Sequence, residues 1–392
     1  MSTGRFRRPV VGLVAALAIA VVLSALSAAP EGTDLKARLQ GSLDALHAGA
    51  KFPGVTAAVV LPDGTAIGLA AGLSDREART PIKTSDRLLM GSVGKTYVAA
   101  VALQLMGEGK IGLDDKVEKW LGGEPWYGRL PNGRDVTVRH LMTHTSGIVR
   151  YEFQERFTAD LTRQPDKVWS PEDRLAYVFD LTPPFAAGQG WEYSDTNYIV
   201  LGLILEKAGR APYYDLLRKR ILKPLKLADT VPAVSRKVPG LVQGYAGPNN
   251  PFGGTDAMIK DGLFAVNPQL EWTGGGLACT TLDLARWAKL LYEGKAIRPE
   301  LVTKMIDAAV PAKLGPETKY GLGVILKPTS LGTAWGHSGF FPGYLTEMAY
   351  FPDYKIAVAV QFNTSVGRDI GRAPSRVLLE LAGIAAGVPA AK

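Results

Sequence analysis

The chain has one cysteine, Cys279, in 392 residues, so an internal disulfide framework is excluded and stability must come from a large core. No histidine or basic residue neighbours Cys279 closely enough in sequence to lower its pKa, and packing is its expected role. Charge is nearly balanced: 45 Lys and Arg stand against 37 Asp and Glu, a formal +8, and the basic residues are scattered rather than striped. A nucleic-acid binder needs a Lys/Arg face or a recognition module; neither is present, so nucleic acid is not an expected partner. Histidine is scarce too, with 4 in the chain. His140 and His144 have the spacing of a helical metal pair, but no glutamate follows His140 and no third ligand stands out. No metal and no organic cofactor are expected. There is no internal repeat, and the only biased tract is the alanine-rich C-terminal end.

What is present begins with an export signature. Arg5, Arg7 and Arg8 precede an uncharged apolar run from Val10 to Leu23, followed by small residues through Ala29 and Pro30. Residues 1–29 are therefore expected to be a signal peptide, placing the protein in the periplasm or outside the cell. The run is also just long enough to anchor the protein in a membrane if it stays uncleaved. Removing the three arginines leaves a modest net charge of about +5.

The rest of the chain reads as two β-rich ends around a helical middle. Thr33 and Asp34 can cap a helix running to about Ala48; Val55–Leu61 and Ala66–Ala71 read as strands joined by a hairpin turn at 62–65. From Leu88 the pattern turns helical, with Tyr97, Val98, Val101, Ala102 and Leu105 on one face. Further helices are expected after Asn197, over Tyr213–Leu222 and over Leu282–Leu291, while 149–190 is the least regular stretch and a candidate cleft lining. Strand character returns at Tyr320–Leu326, Thr333–His337, Leu345–Phe351 and Ile356–Phe362, before a last helix from about Ala373. The economical construction is an α+β fold: one antiparallel sheet built from both ends of the chain and covered by the terminal helices, with the helical middle inserted as a second lobe. The expected bounds are about 30–85 and 318–392 for the sheet lobe and about 86–317 for the helical lobe. A site between the lobes follows naturally.

Three short segments carry chemistry. In Gly91-Ser92-Val93-Gly94-Lys95-Thr96, a serine and a lysine three apart at a helix start share one face, which gives Lys95 access to the Ser92 hydroxyl. At its usual pKa of ~10.4 a lysine is protonated, but burial and nearby cations lower that value, so a buried Ser-Lys pair activates the hydroxyl without histidine. The same residues end like a phosphate-cradling loop, although Leu89 stands where its first glycine is required. Tyr193-Ser194-Asp195-Thr196-Asn197-Tyr198 precedes a helix; Tyr193 is placed to relay a proton, while Ser194 or Asp195 can equally cap the helix. Trp335-Gly336-His337-Ser338-Gly339-Phe340 lies at an expected strand edge, where Gly339 permits close backbone approach.

These motifs, in this order, resemble those of the class C β-lactamase, DD-carboxypeptidase and serine esterase superfamily of penicillin-recognising hydrolases. Leu141-Met142-Thr143-His144-Thr145-Ser146-Gly147 and Thr273-Gly274-Gly275-Gly276-Leu277 look like two further family segments, so the similarity spans essentially the whole mature chain. The resemblance implies Ser92 as the acylated nucleophile, with Lys95 and Tyr193 sharing proton transfer. It implies His337 in the place often held by lysine, and the N–H groups of Ser92 and Phe340 as an oxyanion hole. Ser338, Gly339, Asp195 and Trp272 fall among the expected substrate-binding residues, with Trp191 and Phe341 as further walls of an apolar acyl pocket. His144 becomes a structural residue beside the cleft.

Two departures bear on substrate. Phe340 stands where β-lactamases and DD-peptidases commonly carry Ser or Thr to hold a substrate carboxylate, and Asp195 stands where their tyrosine motif usually has asparagine. Lys327, on the preceding strand, is the one nearby candidate to restore a cation. The expectation is a hydrolase of a small-molecule or peptide-like ester or amide, with weak β-lactamase activity. The alternative is a non-catalytic cell-envelope binding or scaffold protein that keeps the fold.

Overall fold

The computed structural model describes residues 1–4, 31–248, 250 and 256–388, with side chains in the first helix from residue 34. Apart from residues 1–4, the expected signal peptide lies outside the described residues. Among the described residues, no helix is long and apolar enough to cross a membrane.

Nine strands form one antiparallel sheet: β1 (Gly54–Val60), β2 (Ala66–Asp75), β3 (Thr80–Pro81), β4 (Val310–Pro311), β5 (Lys319–Tyr320), β6 (Ile325–Thr329), β7 (Gly332–Phe341), β8 (Tyr344–Phe351) and β9 (Ile356–Phe362). Their spatial order is β3-β2-β1-β9-β8-β7-β6-β5-β4. The two ends of the chain meet where β1 pairs with β9, Val55 opposite Phe362 and Val60 opposite Ala357.

Both faces of the central strands are covered, which is why β1 and β9 are buried throughout and read as nearly continuous apolar runs, interrupted by Thr56 and Gln361. Alternation still sorts the residues. Val55, Ala57, Val59, Val358, Val360 and Phe362 join Leu39, Leu43, Val377 and Leu381 of the terminal helices Glu31–Ala48 and Pro374–Ala386. On the other face the residues are small: Ala58, Ala357 and Ala359 join the second core, and a Cβ on Gly68 would come within 3.1 Å of Leu282. That slim surface admits the helix Thr281–Tyr292, whose Trp287 stacks on Tyr97 at 4.1 Å and donates to the Thr96 hydroxyl at 2.8 Å. Tyr97 and Thr96 belong to the helix Lys95–Gly107, so the nucleophile candidate is tied to the sheet through one intervening helix.

Several local expectations shift. The first helix is already formed at Glu31, ahead of the Thr33-Asp34 cap read from sequence. The strand expected over Tyr320–Leu326 divides into β5 and β6, because Gly321 and Gly323, the latter at φ +78, make a tight turn closed by the Gly321 N–H on the Val324 carbonyl at 2.8 Å. Leu88–Leu89 is a short strand paired with Ala278 and Cys279, not a helix start. The irregular stretch at 149–190 holds short helices Glu155–Arg163 and Pro171–Leu175, the second opened by a Ser170–Asp173 capping box.

The small-residue face yields a direct test. Ala359→Leu inserts bulk where the Thr281–Tyr292 helix comes down, and urea unfolding should show a loss of about 1–3 kcal/mol; an unchanged midpoint would mean that this face is loosely packed.

Candidate active site

Ser92 sits on the 3₁₀ turn Gly91–Gly94 that runs directly into the helix starting at Lys95. This turn lies against β7, main chain to main chain. A Cβ on Gly91, itself at φ +53, would come 2.3 Å from the Phe340 carbonyl oxygen, and one on Gly339 would come 2.0 Å from that of Met90. Only glycine at both positions lets strand and turn touch. Ser92 is half-buried, and Lys95 Nζ donates to its hydroxyl at 3.1 Å.

Lys95 has no exposed surface. Its other ammonium contacts are the Asp195 carboxylate and the Gly274 carbonyl oxygen at 2.5 Å. Asp195 opens the helix Asp195–Gly209, where the peptide dipoles also favour an anion, and its second oxygen accepts from Arg150 Nη2 at 2.8 Å. Arg150 also donates to Glu152 through Nε at 2.8 Å, and its guanidinium lies 3.9 Å from the centre of the Phe153 ring. Glu271 comes from the segment Pro268–Gly274 beneath Lys95, near Asp195.

The charge balance of this buried cluster differs from the sequence expectation. Burial pushes the Lys95 pKa down, as anticipated, but the Asp195 carboxylate outweighs it and the ammonium is held above its ordinary value. Burial likewise works against the Asp195 charge; Lys95 overrides it and keeps Asp195 ionised. The neighbouring carboxyls take the opposite course: burial and the Asp195 charge raise Glu152 well above its ordinary value and push Glu271 up to about 7. One anion is stabilised, and its neighbours are driven toward the neutral form. Arg150, Glu152, Glu271 and the Gly274 carbonyl were not singled out from sequence. Arg150 and Glu152 fall in the irregular stretch expected to line a cleft, but nothing in their spacing pairs them with Asp195.

Tyr193 lies across the same ammonium, with Lys95 Nζ 5.1 Å from its ring centre. Its hydroxyl is buried and completes no hydrogen bond among the described residues. Burial pushes its pKa up to about 12, against the Lys95 charge and the nearness of Ser92. His144 holds the ring from behind at 4.1 Å. The Ser194 N–H donates to His144 Nδ1 at 3.2 Å, so that nitrogen is the acceptor and the proton sits on Nε2. His140 is engaged elsewhere: its Nδ1 accepts from the Thr137 N–H in a capping box.

The third motif is arranged differently from its sequence reading. His337 Nδ1 faces the Ser338 carbonyl at 2.6 Å and must donate, leaving Nε2 to accept from the Tyr320 hydroxyl at 2.9 Å. Burial and the Lys95 charge lower its pKa to about 3. His337 is thus a neutral spacer, unable to replace a lysine cation. Phe340 brings its main chain to Gly91 while its side chain is 51% exposed. Ser338, one residue before Gly339, points to the opposite face of the sheet from Ser92. Trp272 is turned into the helical core, where its ring meets Gly202 and lies 6.3 Å from Tyr213. Its backbone, at φ 39, kinks the segment that delivers the Gly274 carbonyl. Phe341 is likewise core, 5.7 Å from Phe264, so neither ring walls a cleft at Ser92. Trp191 lies nearer, 6.3 Å from His144 and 8% exposed.

The family model described as Beta-lactamase matches residues 39–382. A penicillin-binding protein of Bacillus subtilis is 29% identical over 72% of this chain and 62% of its own length, so the chain spans about three-fifths of that relative. A penicillin-binding protein of Amycolatopsis lactamdurans is 28% identical over 89% of this chain and 91% of its own. Among solved structures, a D-stereospecific amidohydrolase from Streptomyces superposes with a TM-score of 0.73 at 29% identity, covering 88% of this chain and 97% of that one.

Two measurements check the electrostatics. Asp195→Asn removes the anion that opposes burial, so the Lys95 ammonium, followed by lysine-labelled NMR, should titrate at least one pH unit lower than in the wild type. An unmoved titration would assign the charge state of Lys95 to another group. For His337, the unfolded imidazole takes a proton below about 6.5 that the folded one refuses until about 3. Its contribution to stability is therefore present above pH 6.5 and lost as pH falls toward 3, roughly tenfold in the unfolding constant per unit. His337→Gln should reduce the slope of stability against pH by about one proton between pH 4 and 6, measured by urea unfolding.

Proposed function

The chain belongs to the Beta-lactamase family, and from that membership we propose an exported serine hydrolase that cleaves an ester or amide through an acyl-enzyme on Ser92. The observation that carries this reading is the 3.1 Å contact between the Ser92 hydroxyl and Lys95, an ammonium enclosed by Asp195 and the Tyr193 ring. We read the chain as two lobes, a sheet lobe over about 30–85 and 318–392 and a helical lobe over about 86–317, with the reaction between them.

In this mechanism the Ser92 oxygen forms a bond to the substrate carbonyl carbon and gives up its proton to Lys95. Because Lys95 already carries a full set of protons, it passes one to Asp195 along their hydrogen bond in the same step. The Ser92 and Phe340 N–H groups stabilise the carbonyl oxygen as it takes up negative charge. Tyr193, a neutral phenol below about pH 12, donates its proton to the departing nitrogen or oxygen and is reprotonated through Lys95. Water then attacks the acyl group, and its proton follows the reverse path to restore Ser92.

The charge pattern narrows the substrate. Both cations of the cluster, Lys95 and Arg150, are paired with Asp195, and His337 is neutral. No free positive group on β7 stands ready for a substrate carboxylate. Neutral esters and amides fit this surface better than β-lactams. The similarity to a D-stereospecific amidohydrolase puts amides of D-configured residues first among the peptide-like candidates.

A fluorophosphonate probe followed by mass spectrometry should place the adduct on Ser92 and leave Ser92→Ala unlabelled. Lys95→Ala should lower the rate on a small ester panel about 10²–10⁴-fold. Equal rates in wild type and Lys95→Ala would transfer the assignment to a non-catalytic binding protein with this fold.

A further inference from the structure

Behind β7, on the face turned away from Ser92, a cavity of about 570 Å³ opens between the sheet and the C-terminal helix. Its floor exists because Ala334, Gly336 and Ala349 present almost no side chain where β7 and β8 pair. Ile325, Phe351, Leu378 and Leu379 give it apolar walls, and the volume is that of a small-molecule pocket.

Glu347 stands on this floor, opposite Ser338 in the β7–β8 register. Protein surrounds it deeply enough that burial pushes its carboxyl up to about 7, with the Lys327 charge opposing. The cavity leaves part of its surface open. It makes no hydrogen bond or ion pair among the described residues, an expensive position for a carboxylate in a core strand. At the mouth stand two exposed cations, Lys327 and Arg376, and neither forms an ion pair among the described residues. Among the described residues, the side-chain hydrogen bond made by these two cations is a 3.4 Å contact from Lys327 to the Ser375 hydroxyl. The pocket thus has an unpartnered carboxyl group inside, apolar walls, and cations without an ion pair among the described residues at its entrance.

We propose that this cavity is a second binding site, for a free apolar α-amino acid. The ligand's ammonium meets Glu347, its carboxylate reaches Lys327 and Arg376, and its side chain lies against Ile325 and Leu378. An ammonium beside Glu347 returns the partner that the fold withholds, while a carboxylate at the mouth remains partly hydrated and needs only the two flexible cations. A plain carboxylic acid would leave Glu347 unmatched, and a plain amine would leave the entrance unmatched. The site is separate from Ser92 and stands whether or not Ser92 is acylated.

Isothermal titration of the full chain with L-leucine and with D-leucine tests this. Saturable binding of at least one enantiomer is expected, weakened about tenfold or more by Glu347→Gln. 4-Methylpentanoate, which lacks the ammonium, and isoamylamine, which lacks the carboxylate, should each bind at least tenfold more weakly than leucine. If Glu347→Gln does not fold, Ala334→Phe, which fills the cavity from β7, should abolish leucine binding. No binding of either enantiomer at about 10 mM overturns the proposal, as does binding unaffected by the variant that folds.

Discussion

A single buried contact, the Lys95 ammonium on the Asp195 carboxylate, sets the terms for everything around it. Each ion on its own would cost several kcal/mol to take out of water; together, with the Gly274 carbonyl and Arg150 as further partners, they remain charged. Their neighbours have to accommodate that choice. Arg150 is drawn in from an irregular loop to the second Asp195 oxygen, Trp272 adopts a positive φ in the segment that brings the Gly274 carbonyl to the ammonium, and Glu152 and Glu271 are pushed toward neutrality by burial and by the Asp195 charge. The result is a proton-rich pocket. It gives Lys95 a role different from that of a simple deprotonated amine.

The sheet supports this contact from a distance. Its helix-facing side includes Ala58, Ala357, Ala359 and Gly68, with Thr56 and Gln361 meeting Thr281, so the Thr281–Tyr292 helix approaches closely and the Tyr97–Trp287 stack fixes the helix that begins with Lys95. On the opposite face, branched side chains fill the space under the terminal helices. The same strands serve two packing regimes through nothing more than alternation.

Much of this was legible in the chain. Strand alternation and helical periodicity gave an antiparallel sheet drawn from both ends and a helical middle, because those patterns record which faces are buried. The Ser92, Tyr193 and His337 segments were found because their residue types and order are distinctive. The protonation of Lys95 was not legible: it depends on Asp195, 100 residues away, and on the partners of Asp195, none of which shares a local pattern. His337 misled because sequence gives the residue and not the two acceptor and donor groups that hold it. Trp272 and Phe341 misled for a simpler reason, since an aromatic near a motif points inward as readily as outward, and only packing decides.

The junction of β7 with the Ser92 turn is made by main-chain atoms on both sides, with glycine at 91 and 339 and a carbonyl at 340. The ring of Phe340 takes no part in that junction and projects into solvent. Anchoring and display are therefore divided between the backbone and the side chain of one residue. Exchanging that ring for a hydroxyl, an amide or a cation would change the exposed surface without loosening the scaffold. Position 340 can therefore change its side chain while its main chain keeps the junction intact.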